Sequence, residues 1–176
     1  MILMILLSLS RAWAGGVGAT VAVGGDWFGG GYMVEDQVRV GELGSLARAA
    51  LHWTVGPFIV GPVYQGTRRD YTVYRVDASD TVRGGFDLQG LGVVVGMPTW
   101  IETPAVRIGG RVDLLAELHS DTNLVIRPGA GLDLGVALTE RRPGPELYLG
   151  GDASYRTGGI GLGFALLGGL RILGAD

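Results

Sequence analysis

Residues 106–119 read VRIGGRVDLLAELH, and the architecture turns on how this stretch folds. Its DLLAEL portion consists of good helix formers, so propensity alone favours a helix. Periodicity favours a strand. With a period of two, Val106, Ile108, Gly110, Val112, Leu114, Ala116 and Leu118 share one face. Arg107, Gly109, Arg111, Asp113, Leu115, Glu117 and His119 share the other, which holds every charge, with Leu115 as the exception. At about 100° per residue, Leu114 and Leu118 would stand among the charges. The stretch is predicted to be a strand whose two faces meet different surroundings.

The next segment, NLVIRPGAGLDLGVALTE, continues the alternation. Leu124, Ile126, Pro128, Ala130, Leu132, Leu134, Val136 and Leu138 alternate with Val125, Arg127, Gly129, Gly131, Asp133, Gly135 and Ala137. Asp121-Thr122-Asn123 between the two segments is good turn chemistry. A hairpin centred on Thr122 is predicted, with Glu117 opposite Arg127 and Arg111 opposite Asp133. The other face of that register pairs Leu118 with Ile126, Val112 with Leu132 and Ile108 with Val136. Each such cross-strand pair stabilises by roughly 0.2–1 kcal/mol.

Weaker alternation covers the rest of the chain. Val17, Ala19, Val21 and Val23 alternate with Gly and Thr; Ala47, Ala49, Leu51 and Trp53 alternate with Arg48, Ala50 and His52. SLARAALHW also fits a helix capped by Ser45. Leu147 and Leu149 alternate with Glu146 and Tyr148, and Ile160, Leu162, Phe164, Leu166, Leu170 and Ile172 alternate mostly with Gly, closing on Arg171. PTWIETP, TERRPGPE and YRTGG are turn-like breaks.

Bulk properties narrow the classes. The chain has 176 residues, of which 33 are glycine, well above the usual ~7%. Hydrophobic residues make up 47%, charged residues 18%, and the mean hydropathy is +0.33. Beyond the N-terminus no run of about 18 apolar residues marks a membrane-spanning helix. All 14 basic residues are Arg, the net charge is −3, and no basic footprint for nucleic acid is present. Without cysteine there is no disulfide framework and no thiolate metal site. MILMILLSLSRAWAGG opens with an apolar run, and Ala12-Trp13-Ala14 fits a signal-peptidase site. Residues 1–14 are therefore expected to be a signal peptide, and 15–176 a single domain.

A sheet with Arg and Asp on one face and aliphatic residues on the other resembles the small bacterial outer-membrane β-barrel family, the OmpA/OmpX-like barrel domains. The resemblance spans about 160 residues and rests on pattern and size. It implies an all-β, closed up-and-down antiparallel transmembrane barrel in the outer membrane, reached through the periplasm. It also implies contact with membrane lipid, including lipopolysaccharide, handling by the barrel-assembly machinery, and a monomer. A closed barrel satisfies every backbone group in lipid. Eight strands are expected, at 15–25, 46–56, 57–66, 84–97, 105–119, 124–139, 145–155 and 158–173. Outer loops then fall at 26–45 and 67–83. Ten strands, with YMVEDQVRV and DYTVYRV as an added pair, is the rival count. Trp53, Phe58 and Trp100 fall near inner turns, as an aromatic girdle requires. The family usually ends on an aromatic residue, whereas this chain ends RILGAD.

Arg107, Arg111, Asp113, Glu117, Arg127 and Asp133 are the candidate site residues. They read either as a selectivity lining or, preferably, as an ion-pair plug filling a narrow lumen, because eight-stranded interiors are filled by side chains. His119 and Ser120 near Glu117 invite comparison with Ser/His/Glu lipid hydrolases, but adjacent strand residues point to opposite faces. Two distant histidines make no metal site, and the GxG spacing in GGVGATVAVGG lacks a following βαβ unit. No cofactor and no catalytic residue is expected. The function expected is a non-enzymatic, structural or surface-interacting barrel. The alternatives are a soluble barrel carrying a hydrophobic ligand, with the two faces reversed, and a lipid-modifying hydrolase.

Overall fold

The computed structural model describes residues 16–29, 32–34, 37–75, 81–119, 124–139, 144–155 and 161–173. Nine strands follow one another: β1 (Val17–Gly29), β2 (Tyr32–Val34), β3 (Gln37–Val55), β4 (Phe58–Arg75), β5 (Thr81–Glu102), β6 (Val106–His119), β7 (Leu124–Ala137), β8 (Pro145–Tyr155) and β9 (Leu162–Ile172). Each long strand pairs antiparallel with its neighbours, and β1 pairs with both β3 and β9. The sheet is thereby closed into a barrel of eight strands, with β2 as a short ninth paired to the upper end of β3. SLARAALHW lies within β3. The helix reading of that segment loses to the ladder that β1 and β4 offer on either side of it.

The stagger of the barrel follows from its pairing. Starting at Val17, directly paired residues run through Trp53, Val60, Val95, Val112, Ala130, Ala153 and Phe164. The row then returns to β1 at Trp27, ten residues beyond its start. A stagger of this size on eight strands corresponds to a tilt of about 40°. Ten residues along such strands rise about 25 Å, which is the height of the apolar band of an outer-membrane barrel.

The two faces are sharply sorted. Val21, Val23, Leu51, Leu91, Val112, Leu114, Leu132, Leu149, Leu166 and Leu170 are exposed on the outer wall, while Arg48, Arg111, Asp113, Glu117, Arg127, Asp133, Asp152 and Arg171 are buried inside. Aromatic residues mark both rims. Phe58 and Trp100 are exposed near the short-turn end, and Trp27 and Phe164 stack at a 6.1 Å centroid distance near the other. At the short-turn end β3 and β4 are joined by a two-residue hairpin, where Gly56 takes the left-handed φ of 57°.

Three expectations change. The segments 26–45 and 67–83 are not long loops: 26–29, 32–34, 37–45, 67–75 and 81–83 are strand. Alternation is hard to see in EDQVRV and RRDYTVYR because polar residues occupy both faces. Segments of the rival ten-strand count do form strand, but as the short β2 and as upward extensions of β3 and β4, so the barrel keeps eight strands. PTWIETP, expected as a break, lies largely inside β5, where the pairing to β6 is irregular between Met97 and Ile101.

The third correction is the β6–β7 register. Leu115 stands opposite Arg127 and Glu117 opposite Val125, two residues away from the expected pairing. The shift keeps both faces intact and relieves crowding in the lumen. Arg107, Arg111 and Asp113 now face Gly135, Gly131 and Gly129, and Asp133 faces Gly109. The volume argument is direct at Gly129, where a Cβ would lie 2.6 Å from Asp113 Oδ1. In the expected register Arg111 and Asp133 would have met head on.

Candidate functional site

The lumen is where the fold gathers its buried charged side chains. Inward positions of β6 and β7 carry all six candidate residues, because alternate residues of a strand share a face. Five of the six are buried, and Arg107 is half-buried near the short-turn end. Glycines at the facing positions leave room for Arg107, Arg111, Asp113 and Asp133.

The charges pair in layers along the barrel axis. Near the short-turn end Arg107 Nη1 lies 3.1 Å from Glu146 Oε1, and Arg107 Nε donates to Glu102 Oε1 at 2.9 Å. Arg171 Nη2 lies 3.0 Å from Glu146 Oε2 and its Nη1 3.5 Å from Asp133 Oδ2. Tyr148 donates its hydroxyl to Asp133 Oδ1 at 3.0 Å, beneath the guanidinium of Arg171, which sits 5.3 Å from its ring centroid. Arg111 bridges Asp133 and Asp152.

Midway, Arg48 of β3 crosses the lumen. Its Nη2 lies 2.7 Å from Asp113 Oδ2 and its Nη1 3.2 Å from Asp152 Oδ2. Toward the tall end Arg127 meets Glu117 at 3.1 Å and donates to Gln65 Oε1 at 3.0 Å. Arg69 and Asp26 pair above them. An apolar cluster of Val63, Val94 and Leu115 fills the gap between polar layers, which explains the single leucine on the charged face of β6.

The inventory balances. Five buried arginines, with Arg107 as a sixth, meet six buried carboxylates: Asp26, Asp113, Glu117, Asp133, Glu146 and Asp152. Buried charges are tolerated only when paired, and here each of these twelve has an opposite charge within ion-pair distance. Such an array fills space and holds strands together. His52 also points into the lumen and is buried.

The sequence reading found half of this array. It missed Arg48, Arg69, Arg171, Asp26, Glu146 and Asp152. A signal existed for three of them, since Arg48, Glu146 and Arg171 sit at the polar positions of recognised alternations. Their partners lie up to 104 residues away, and alternation within a strand carries no information on that distance. Of the residues compared with a lipid hydrolase, Glu117 is buried against Arg127. The His119 side chain and Ser120 lie outside the described residues. Among the described residues no His/Cys/Asp/Glu group has the arrangement to hold a metal.

No protein family and no curated relative matches the chain. Among solved structures it is similar to Ail, the attachment invasion locus protein of Yersinia pestis, in complex with the heparin analogue sucrose octasulfate. The identity is 13%, with 89% of this chain and 99% of that chain covered and a TM-score of 0.46. A second structure of Ail gives 11% identity, 88% and 98% coverage and a TM-score of 0.43. The outer membrane protease OmpT from Escherichia coli gives 11% identity, 90% and 96% coverage and a TM-score of 0.39. These scores are low, and the architecture rests on the barrel's own pairing and faces. By both, the chain is a closed eight-stranded antiparallel β-barrel, aliphatic outside and charged inside.

Proposed function

We propose that this protein is a non-enzymatic outer-membrane barrel that acts at the cell surface, with its lumen closed by the ion-pair array. The observation that carries this reading is the sorting of faces. Aliphatic side chains cover the outer wall between two aromatic rims, and the charges lie inside. In water such a wall would be an exposed apolar surface far larger than soluble monomers carry. In lipid it is the expected wall. The soluble ligand-carrying alternative required the opposite sorting.

In this reading residues 1–14 are the signal peptide, the short-turn end faces the periplasm, and the assembly machinery inserts the monomer. Lipid, including lipopolysaccharide, surrounds the band. The surface-active part is the tall side of the barrel. There β2, β3, β4 and β5 rise past the upper ends of β6 and β9 as a protruding sheet. The six lumen candidates Arg107, Arg111, Asp113, Glu117, Arg127 and Asp133 then have a structural role.

Cell fractionation combined with heat-modifiability on a gel tests the reading. The expected result is a membrane-bound protein, soluble only in detergent, whose unboiled form migrates faster than the boiled one. A periplasmic protein soluble without detergent overturns it. Lipid hydrolysis lost in Ser120→Ala or His119→Ala would overturn the non-enzymatic role.

A further inference from the structure

The ladder between β3 and β4 has a gap at Leu51 and His52. Ala50 pairs with Val63 and Trp53 with Val60, while Leu51 and His52 have no partner on β4. The register is the same on either side of the gap. Away from the seam both stretches stay paired, Leu51 to Ala19 of β1 and Pro62 to Val93 of β5.

The cause is Pro62. Thr54 donates its N–H to Gly16, on the β1 side, at 3.0 Å. Alternate residues of a strand bond to the same side, so Leu51 turns its N–H and C=O toward β4. The donor that its carbonyl needs is the N–H that proline lacks. Proline in a sheet is otherwise confined to edges, strand starts and bulges. Here it stands inside a closed barrel, about 10 Å above Phe58 and so within the apolar band. A carbonyl without a donor is costly at that depth. A Cβ on Gly61 would run into the Leu51 carbonyl, so the glycine is what lets the two strands stay close.

The gap lies beside an unpartnered histidine. His52 points into the lumen at 2% exposure, and neither ring nitrogen has a hydrogen-bond partner among the described residues. The inward positions beside it, Gly18 and Thr20 on β1 and Ile59 and Gly61 on β4, carry no charge. The charge that acts on the ring is a cation, Arg171 of β9. The lumen carboxylates at this end are already taken. Arg171 holds Glu146 of β8 and Asp133 of β7 and lies over Tyr148, while Arg107 and Arg111 of β6 hold the other oxygens of the same two carboxylates. Further along β3, Arg48 is held by Asp113 and Asp152, and β5 brings only Val94 and Gly96.

We propose that the β3–β4 seam at Pro62 is a hinge that opens to water from the lumen when His52 takes up a proton. A protonated ring carries two N–H donors and a positive charge, and here it meets a cation and no free acceptor. Water entering past Gly61 answers both needs. It solvates the imidazolium and donates to the Leu51 carbonyl. The proton comes from solvent and returns to it as the pH rises, so the opening is reversible. Opening also breaks one backbone hydrogen bond fewer than it would beside a residue with an N–H, which makes this seam the first to give. The inference goes beyond the surface role proposed above and draws on the barrel's own pairing.

The test uses the full-length barrel refolded in detergent and shown by heat-modifiability to stay folded at pH 8 and pH 5. Hydrogen exchange is read by mass spectrometry, with each rate divided by the intrinsic rate at its own pH. Peptides across 49–65 report the seam, and peptides across 124–131 of β7 serve as reference. Protection of 49–65 is expected to fall about tenfold from pH 8 to pH 5, where an accessible imidazole goes from neutral to charged, and the reference to change less than about twofold. In His52→Gln the fall disappears. Pro62→Ala returns the missing donor and raises protection of 49–65 at pH 5 about tenfold, the worth of one hydrogen bond, without touching the histidine. No fall at pH 5, an equal fall in the reference, or a fall that persists in His52→Gln overturns the proposal. So does a Pro62→Ala barrel that opens as readily as the unaltered one. Any of these results leaves the outer-membrane reading untouched, since fractionation decides that separately.

Discussion

Glu117 and Arg127 form an ion pair of 3.1 Å although they do not face each other across their hairpin. Glu117 stands opposite Val125 and Arg127 opposite Leu115, so the pair is diagonal. Arg111 and Asp133 have the same relationship: Arg111 faces Gly131 while its guanidinium reaches Asp133. The long arginine side chain spans the offset, and at Arg111 the glycine at the directly facing position gives it space. Charge partners and backbone partners are therefore two different sets in the β6–β7 hairpin, whereas Glu146 and Arg171 face each other directly and also pair.

The diagonal pair is expected to be energetically coupled. Glu117→Arg or Arg127→Glu alone leaves a buried charge without its partner, at a cost of about 3–5 kcal/mol. The double reversal recovers at least part of that loss. Urea unfolding of the refolded barrel, read as a double-mutant cycle, measures the coupling. Additive losses would place the two charges in separate environments.

Crosslinking separates the two registers. The chain has no cysteine, so introduced pairs report cleanly. Val112→Cys with Ala130→Cys is expected to form a disulfide, since these residues face each other. Val112→Cys with Leu132→Cys places the Cα atoms beyond the range a disulfide allows, about 4.4–6.8 Å, and is expected to stay reduced. Gel mobility with and without reductant gives the answer.

Gly110 is the seat of Trp100. A Cβ on Gly110 would run into the Trp100 ring, which lies against the outer wall where β5 bulges. Gly110→Ala is expected to lower stability by about 1–3 kcal/mol, the usual cost of overpacking. In a Trp100→Ala background the same substitution is expected to cost less than about 0.5 kcal/mol. Equal losses in both backgrounds would show that the ring does not use this seat.

The filled lumen predicts a silent barrel. Planar bilayers with the refolded protein are expected to show no stable conductance steps at moderate voltage. Arg48→Ser removes the cation shared by Asp113 and Asp152. Any conductance it opens is expected to favour cations, because two carboxylates are then undercompensated. Steady conductance in the unaltered protein would contradict a packed interior.

Alternation in 106–119 was enough to settle strand over helix, and with it the inner and outer face. It could not settle register, because a slip of two leaves both faces unchanged. The deciding information lay in volume: Gly129, Gly131 and Gly135 stand where Asp113, Arg111 and Arg107 need room. Strand ends were equally hidden. In RRDYTVYR polar residues fall on both alternate sets, so the stretch loses the contrast that marks a strand lower down. The lumen array was half legible because each strand shows which residues point inward, but only the closed fold shows which of them meet.

If the barrel is a membrane protein as proposed, Arg48 has a consequence for how it enters the bilayer. Strands β1, β3 and β4 bring Arg48, Arg69 and Asp26 into the lumen, one positive charge in excess. Strands β5–β9 bring four arginines and five carboxylates, one negative charge in excess. Arg69 and Asp26 neutralise each other within the first half, but the partners of Arg48 lie on β6 and β8. A half-inserted chain would thus carry an unmatched charge into hydrocarbon, at a cost of several kcal/mol. In the proposed outer-membrane reading, insertion and closure are therefore expected to be coupled, with the chain entering as a ring that is already nearly shut.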